Sequence, residues 1–230
     1  VRRREILSPG RVRFFLRKLR HPIPADALVV DIGSGGDPHP RADVIVDREV
    51  GGGGERTSAF HRSAPLVVAD IHALPFRNQA FGYSLCCHVL EHVHDPVTAA
   101  GELERISAAG YVETPSDLHE KIMPIGWHRW FVRQDSGRLI FEAKPSPYLD
   151  ERLGDYFRTR WARDRTFMRY VWSHVDDLFV RFEWAGRLPV VASEPAEWFL
   201  PDTDDEWDSK VESSRKRQLY SLLSRARYRR

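Results

Sequence analysis

The sequence predicts an α/β fold on a mostly parallel sheet, and three observations carry that expectation. Short β-rich runs recur from Leu28 to Glu113 and alternate with polar and helical stretches, the pattern of strands joined by crossovers. The first run ends in an acid and a glycine loop, VVDIGSGGDP at residues 29–38, the usual mouth of a ligand site in such sheets. Beyond Gly126 the composition changes, and all seven tryptophans fall between Trp127 and Trp207.

The elements follow in order. Residues 10–20 place Val12, Phe15, Leu16 and Leu19 at helical spacing among arginines, so residues 1–25 read as a basic amphipathic helix. Strands are expected at Leu28–Ile32, Asp43–Asp47, Leu66–Ala69 and Phe81–Cys87. The short gap between the first two leaves the first connecting helix reduced or missing. The stretch after the second carries four consecutive glycines, Gly51 to Gly54, and reads as a loop. Asp95 and Pro96 supply an N-cap and a first-turn proline for a helix through VTAAGELERIS, and a strand at Gly110–Glu113 follows. Further on, an antiparallel hairpin turns at Asp135-Ser136-Gly137, and residues 148–178 read as helical. VRFEWAGRLPVVAS reads as a strand pair around Gly186, and residues 201–230 as an acidic linker with a basic terminal helix. The main domain is thus expected at 26–200, with a cofactor half at 28–115 and an acceptor-side elaboration at 116–200.

The glycine loop selects among ligands. A dinucleotide fingerprint wants a third glycine where Pro38 stands, and Asp37 would set a negative charge against the phosphates. Pro38 and Pro40 also remove amide donors. A nucleoside without phosphate, carrying a positive sulfonium, suits an acid-rimmed loop better, and S-adenosylmethionine is such a ligand.

Composition narrows the partners. The net charge of +2 hides an uneven distribution: residues 1–20 hold eight Lys/Arg against one acid, and residues 215–230 hold seven against none. The remaining body has 20 basic and 32 acidic residues, a formal −12, which disfavours a nucleic-acid groove there. The basic ends read as solvated faces, the alternative being contacts for nucleic acid, anionic lipid or an acidic partner. No apolar run approaches the roughly 18 residues that cross a bilayer, and no signal-peptide centre is evident. Cys86 and Cys87 are adjacent in a strand and make no disulfide framework, so a reducing cytoplasm is the expected location.

Taken together, VVDIGSGGDP, DVIVDRE, ADIHALPFRNQAFGYSLCCHVLEHVHDP and ELERISAAGYVETP resemble, in order, the motifs of class I S-adenosylmethionine-dependent methyltransferases, of the type 11-like group. The resemblance covers residues 28–115. It implies a Rossmann-like, mostly parallel sheet of seven strands, one antiparallel near the edge, with the hairpin and the second strand pair supplying the last strands. It also implies that Gly33, Ser34 and Gly35 approach the methionine part of S-adenosylmethionine, with Asp31 fixing the loop. By the same resemblance Asp47 takes the ribose hydroxyls, Asp70 the adenine amino group and Ile71 the ring, while Cys87 and His88 flank the donor methyl. The chain departs from the pattern at Asp37, where the family has a third glycine, and in its reduced first helix.

Methyl transfer from a sulfonium needs positioning more than proton chemistry, so no universal catalytic residue can be read off. For a hydroxyl acceptor a base is useful, and His88, His119 and His128 are the candidates. The aromatic half after Gly126 suits a small or medium-sized acceptor, a sugar, an aromatic or a lipid-like molecule. Two other readings compete. His88-x-x-Glu91-His92 matches the inverted zinc-protease signature, but a strand runs into His88 and a new helix starts soon after His92, so no metal is expected. A cofactor-binding scaffold without catalysis is the third reading.

Overall fold

The computed structural model describes residues 20–50, 61–146 and 151–198, together with the isolated positions 9, 12 and 16. The predicted terminal helices and the Gly51–Gly54 loop lie outside the described residues, apart from those isolated positions.

Five strands build the first half: β1 (Val29–Ile32), β2 (Val44–Asp47), β3 (Leu66–Val68), β4 (Tyr83–Cys87) and β5 (Ala109–Pro115). Helix α1 (Pro96–Ile106) joins β4 to β5. Asp95 caps it by accepting from the amides of Val97 and Thr98, with Pro96 in the first turn, as the sequence predicts. No helix stands between β1 and β2, so the reduced first crossover is real.

Helix α2 (Asp117–Ile122) follows β5, then the hairpin β6 (Trp130–Asp135) and β7 (Arg138–Ala143). Its two-residue turn holds Ser136 at φ 49° and Gly137 at φ 76°, the doubly left-handed turn that matches strand twist. Helices α3 (Glu151–Arg163), α4 (Arg165–Ser173) and α5 (Val175–Leu178) lead to β8 (Phe179–Ala185) and β9 (Val190–Ala192).

The main sheet runs β3-β2-β1-β4-β5-β8, parallel throughout except for β8, which is antiparallel to β5 along its whole length. Gly110 permits the close approach at this edge, because a Cβ there would sit 2.5 Å from Ser84 Oγ and 2.8 Å from the Trp184 ring. This is the doubly wound, Rossmann-like arrangement that the motifs imply.

Two expectations are corrected. Among the described residues the main sheet has six strands rather than seven, because the hairpin forms its own three-stranded sheet, β6-β7-β9. The predicted strand pair around Gly186 also divides: β8 joins the main sheet, and β9 runs parallel to β7 in the second. The reason is local. Gly186 turns the chain at φ 72°, Leu188 is buried, and the Pro189 carbonyl accepts from Leu139 N, which carries the chain across to β7.

A continuous core joins both sheets, with Val30, Ile32 and Cys86 packed in one cluster with Leu103 of α1 and Trp130, Val132, Leu139 and Phe141 of the hairpin. Burying a large aliphatic or aromatic side chain is worth about 1.5–3 kcal/mol, so this cluster fixes the hairpin to the cofactor half. Trp130 is therefore core: 1% exposed, it donates through Nε1 to the Val93 carbonyl. A second clamp pins the LPF turn. Glu102 accepts from Leu74 N at 2.7 Å, and Arg105 donates to the Leu74 and Phe76 carbonyls.

Candidate active site

The carboxyl ends of β1, β2, β4 and β5 open into one cleft with two lobes that share Gly33, Gly35, His88 and His92. The smaller lobe, about 160 Å³, lies over β2 and β3 and is lined by Asp47, Asp70, Ile71 and Val89. The larger, about 420 Å³, lies over β4 and β5 and is lined by Asp31, Cys87, Glu91, His119, Trp127 and His128.

The glycine loop is tied down by acids. Asp47 Oδ2 accepts from Gly35 N at 3.0 Å and its Oδ1 from Glu49 N at 3.0 Å, so the end of β2 holds the loop that follows β1. Asp31 Oδ2 accepts from His39 N at 2.6 Å and closes the same loop from beneath. Gly33 sits at φ 65° with no room for a side chain, since a Cβ would meet Val89 Cγ2 at 2.3 Å. Asp70 accepts from His72 N at 2.8 Å. Burial opposes its charge, but His72 and the nearby Arg48 outweigh that and hold its carboxyl below the usual value.

These residues fit S-adenosylmethionine. A carboxylate oxygen has two lone pairs, so Asp47 keeps acceptor capacity for ribose hydroxyls beyond its loop amides. Ile71 and Val89 offer apolar surface for adenine in the same lobe. The Asp31 carboxylate lines the other lobe, at the glycine loop, where a ligand's ammonium would find an anion.

Past β4 the site becomes rich in titratable groups. His88, in the left-handed region at φ 57°, is set by donation from its own N–H to the Glu113 carbonyl at 2.7 Å. Its ring lies between two buried carboxylates, with Nε2 3.1 Å from Glu113 Oε1 and Nδ1 3.3 Å from Glu91 Oε1. Burial works against its charge, yet the hydrogen bonds to Glu113 and Glu91 prevail and push the imidazole up to about 9. Near neutral pH His88 is thus a cationic donor. His128 is buried, with Nδ1 2.6 Å from Glu120 Oε1, while Glu120 Oε2 accepts from buried Lys144 at 3.1 Å. Burial lowers the His128 pKa, and the neighbouring His92 adds to that. His119 is buried beside Phe179, its Nδ1 3.6 Å from Glu120 Oε1.

The structure thus brings Asp31, Gly33, Ser34, Gly35, Asp47, Asp70, Ile71, Cys87, His88, His119 and His128 to the walls of one two-lobed cleft. Of the tryptophans, Trp127 lines it, while Trp130 and Trp184 are buried in the core. The zinc-protease helix does not form, because residues 88–95 make turns between β4 and α1. Sequence reading missed Glu113, Glu120 and Lys144. The available signal was an acid inside the apolar strand GYVETP and a lysine directly after the hairpin's apolar run.

Residues 49–111 match the family model described as a methyltransferase domain. That stretch is therefore similar to a methyltransferase domain, a family whose members take S-adenosylmethionine as cofactor. The matched segment includes Asp70 and the His88–His92 turn but stops short of Asp47 and the glycine loop. No curated protein matches the sequence. Among solved structures, the chain is similar to the YcgJ protein from Bacillus subtilis at 18% identity and TM-score 0.36, over 44% of this chain and 50% of that one. A Thermotoga maritima protein described as an S-adenosylmethionine-dependent methyltransferase, possible histamine N-methyltransferase, aligns at 23% identity and TM-score 0.34, over 44% of this chain and 48% of that one. The PH0226 protein from Pyrococcus horikoshii aligns at 17% identity and TM-score 0.36, over 53% and 70%. The chain thus spans about half the length of the first two of these relatives. Among the described residues no helix is long and apolar enough to cross a membrane.

Proposed function

We propose that this protein transfers the methyl group of S-adenosylmethionine to an oxygen of a small or medium-sized organic acceptor. One observation carries the reading: a single cleft runs from the acid-rimmed lobe at Asp47 and Asp70 into the lobe lined by Cys87, His88, His119 and His128. The cofactor supplies an activated methyl on a sulfonium, which leaves as a neutral thioether without protonation.

The chain's own residues orient and shield. Asp47 and Asp70 hold the nucleoside end, and the amides around Gly33, Ser34 and Gly35 let the backbone come close to the amino-acid end, with Asp31 facing its ammonium. Cys87 and His88 stand where the two lobes meet, beside the reacting carbon. His88, with both ring nitrogens turned to Glu91 and Glu113, contributes a fixed positive charge there rather than a base. His119 and His128, which both line this lobe, are then the candidate bases, and Glu120 on His128 Nδ1 leaves Nε2 as that ring's basic nitrogen. Trp127 and Phe179 give the acceptor lobe an apolar wall, suited to a sugar, an aromatic or a lipid-like molecule.

Calorimetry with S-adenosylhomocysteine tests the first half, and release of S-adenosylhomocysteine from S-adenosylmethionine with a panel of hydroxylated sugars, phenols and hydroxy-lipids tests the second. Absence of both heat and thermal shift at millimolar cofactor would overturn the reading. Salt-sensitive RNA binding that persists without residues 1–20 and 215–230 would overturn the acceptor class.

A further inference from the structure

Glu91, His92 and His128 line the larger lobe, and each offers one ligand-type atom, all within 4.8 Å of one another. Glu91 is 1% exposed, and neither of its carboxylate oxygens makes a hydrogen bond of normal geometry; the nearest groups are His88 Nδ1 at 3.3 Å and His92 Nε2 at 3.9 Å. His88 meets its charge from one side, but with neither oxygen hydrogen-bonded the buried carboxylate still has lone pairs open to a metal ion. The His92 and His128 rings meet edge to face at 4.6 Å between centroids.

The surroundings are built as second shells of metal sites are built. A ligating histidine commonly gives its other ring nitrogen to a carboxylate, which fixes its tautomer and orientation. His128 does so: Nδ1 is engaged by Glu120 Oε1 at 2.6 Å, leaving Nε2 as the available donor atom, and Lys144 and Ile125 N anchor the other Glu120 oxygen. The two ligand-bearing segments are clamped together. Arg129 N donates to the Glu91 carbonyl at 2.8 Å, and Trp130 Nε1 to the Val93 carbonyl at 2.8 Å. Such preorganisation is what a metal site requires of its scaffold.

We infer that Glu91, His92 and His128 form a binding site for a divalent transition ion of the zinc class, placed in the acceptor lobe. Two imidazoles and one carboxylate are a donor set of catalytic zinc sites, which keep a further position open. Bonds of about 2.0–2.2 Å would draw the three atoms closer, a movement that the partly exposed His92 can supply by rotation. The acceptor role of the ion rests on the methyl-transfer reading. An acceptor hydroxyl on the open position releases its proton to solvent, its oxygen pair forms the bond to the methyl carbon, and the pair of the broken carbon–sulfur bond stays on sulfur. No further reactant is needed.

The test is titration of chelator-treated protein with Co²⁺, followed by visible ligand-field absorption, with S-adenosylhomocysteine calorimetry and thermal unfolding on the same samples. One saturable site per chain is expected, emptied by Zn²⁺. Glu91→Gln and His92→Asn should each abolish the bands while still unfolding cooperatively. Cofactor binding without a saturable Co²⁺ site overturns the metal site and leaves methyl transfer standing. Unaltered bands in both variants overturn the ligand assignment. Co²⁺ bound as expected by a protein that takes no S-adenosylhomocysteine supports the metal site and sinks the transfer reading alone.

Discussion

Gly33→Ala isolates the geometry on which the cofactor cleft depends. Gly33 has φ 65°, where an L-residue with a Cβ is disfavoured by roughly 1–2 kcal/mol. The new methyl would also lie 2.3 Å from Val89 Cγ2, an overlap of the kind that costs about 1–3 kcal/mol in packed sites. Together the two terms predict a loss on the order of 2–5 kcal/mol, read as a lower urea midpoint with an unchanged slope. The terms separate in a double-mutant cycle with Val89→Ala, which clears the overlap and leaves the dihedral untouched. The double variant should therefore recover the packing part but retain roughly 1–2 kcal/mol of loss. Because Gly33 and Val89 line the same lobe, S-adenosylhomocysteine affinity should fall in Gly33→Ala and return only in part in the double variant. Additive single effects, with no coupling between positions 33 and 89, would refute the close approach of the glycine loop to the turn after β4.

Three other perturbations probe separate parts. Asp47→Asn should weaken S-adenosylhomocysteine binding by about 1.5–3 kcal/mol, the range for hydrogen bonds to a charged group, while cooperative unfolding persists; unchanged affinity in calorimetry would show that ribose is held elsewhere. Leu103→Ala, at a position with no exposure between α1 and both sheets, should cost about 2–5 kcal/mol in urea unfolding. Glu102 is held below the usual glutamate value, first by hydrogen bonds from Arg105 and then, against burial, by Leu74 N. Its folded pKa lies below its unfolded one, so its contribution is full above the ordinary glutamate range and fades as pH falls through the folded value. The stability gap between the parent and Glu102→Gln should accordingly narrow on acidification, and a gap independent of pH would contradict the clamp on the LPF turn.

The cofactor half was legible because its determinants are local. An apolar run ending in Asp31, a proline-broken glycine loop and an Asp-Pro helix start each follow from neighbouring residues, and the corresponding elements stand where they were expected to within a residue or two. The acceptor half was less so. Ser136 and Gly137 announced the hairpin, but which sheet it would join depended on Trp130, Val132, Leu139 and Phe141 finding α1, a contact between segments far apart in sequence. The same holds for β9. Gly186 marks a turn in any reading, and only the burial of Leu188 and the carbonyl of Pro189 send the chain on to β7 rather than back along β8.

The buried charges follow a similar logic and explain how the histidine motif is deployed. His88, Glu91 and His92 share a pentapeptide, and on a helix the two histidines would face one ligand. Here the chain leaves β4 with His88 in a left-handed turn, which sends its ring toward Glu113 on β5 and leaves Glu91 between the two histidines. The group that completes the cluster is His128, delivered by the hairpin and oriented by Glu120 on α2. What the sequence presents as one motif is therefore divided into two tasks: His88 is locked by the carboxylates of Glu91 and Glu113, and His92 is left against His128. On the proposed reading, the half of the protein that carries the fewest family motifs is the half that would select the acceptor.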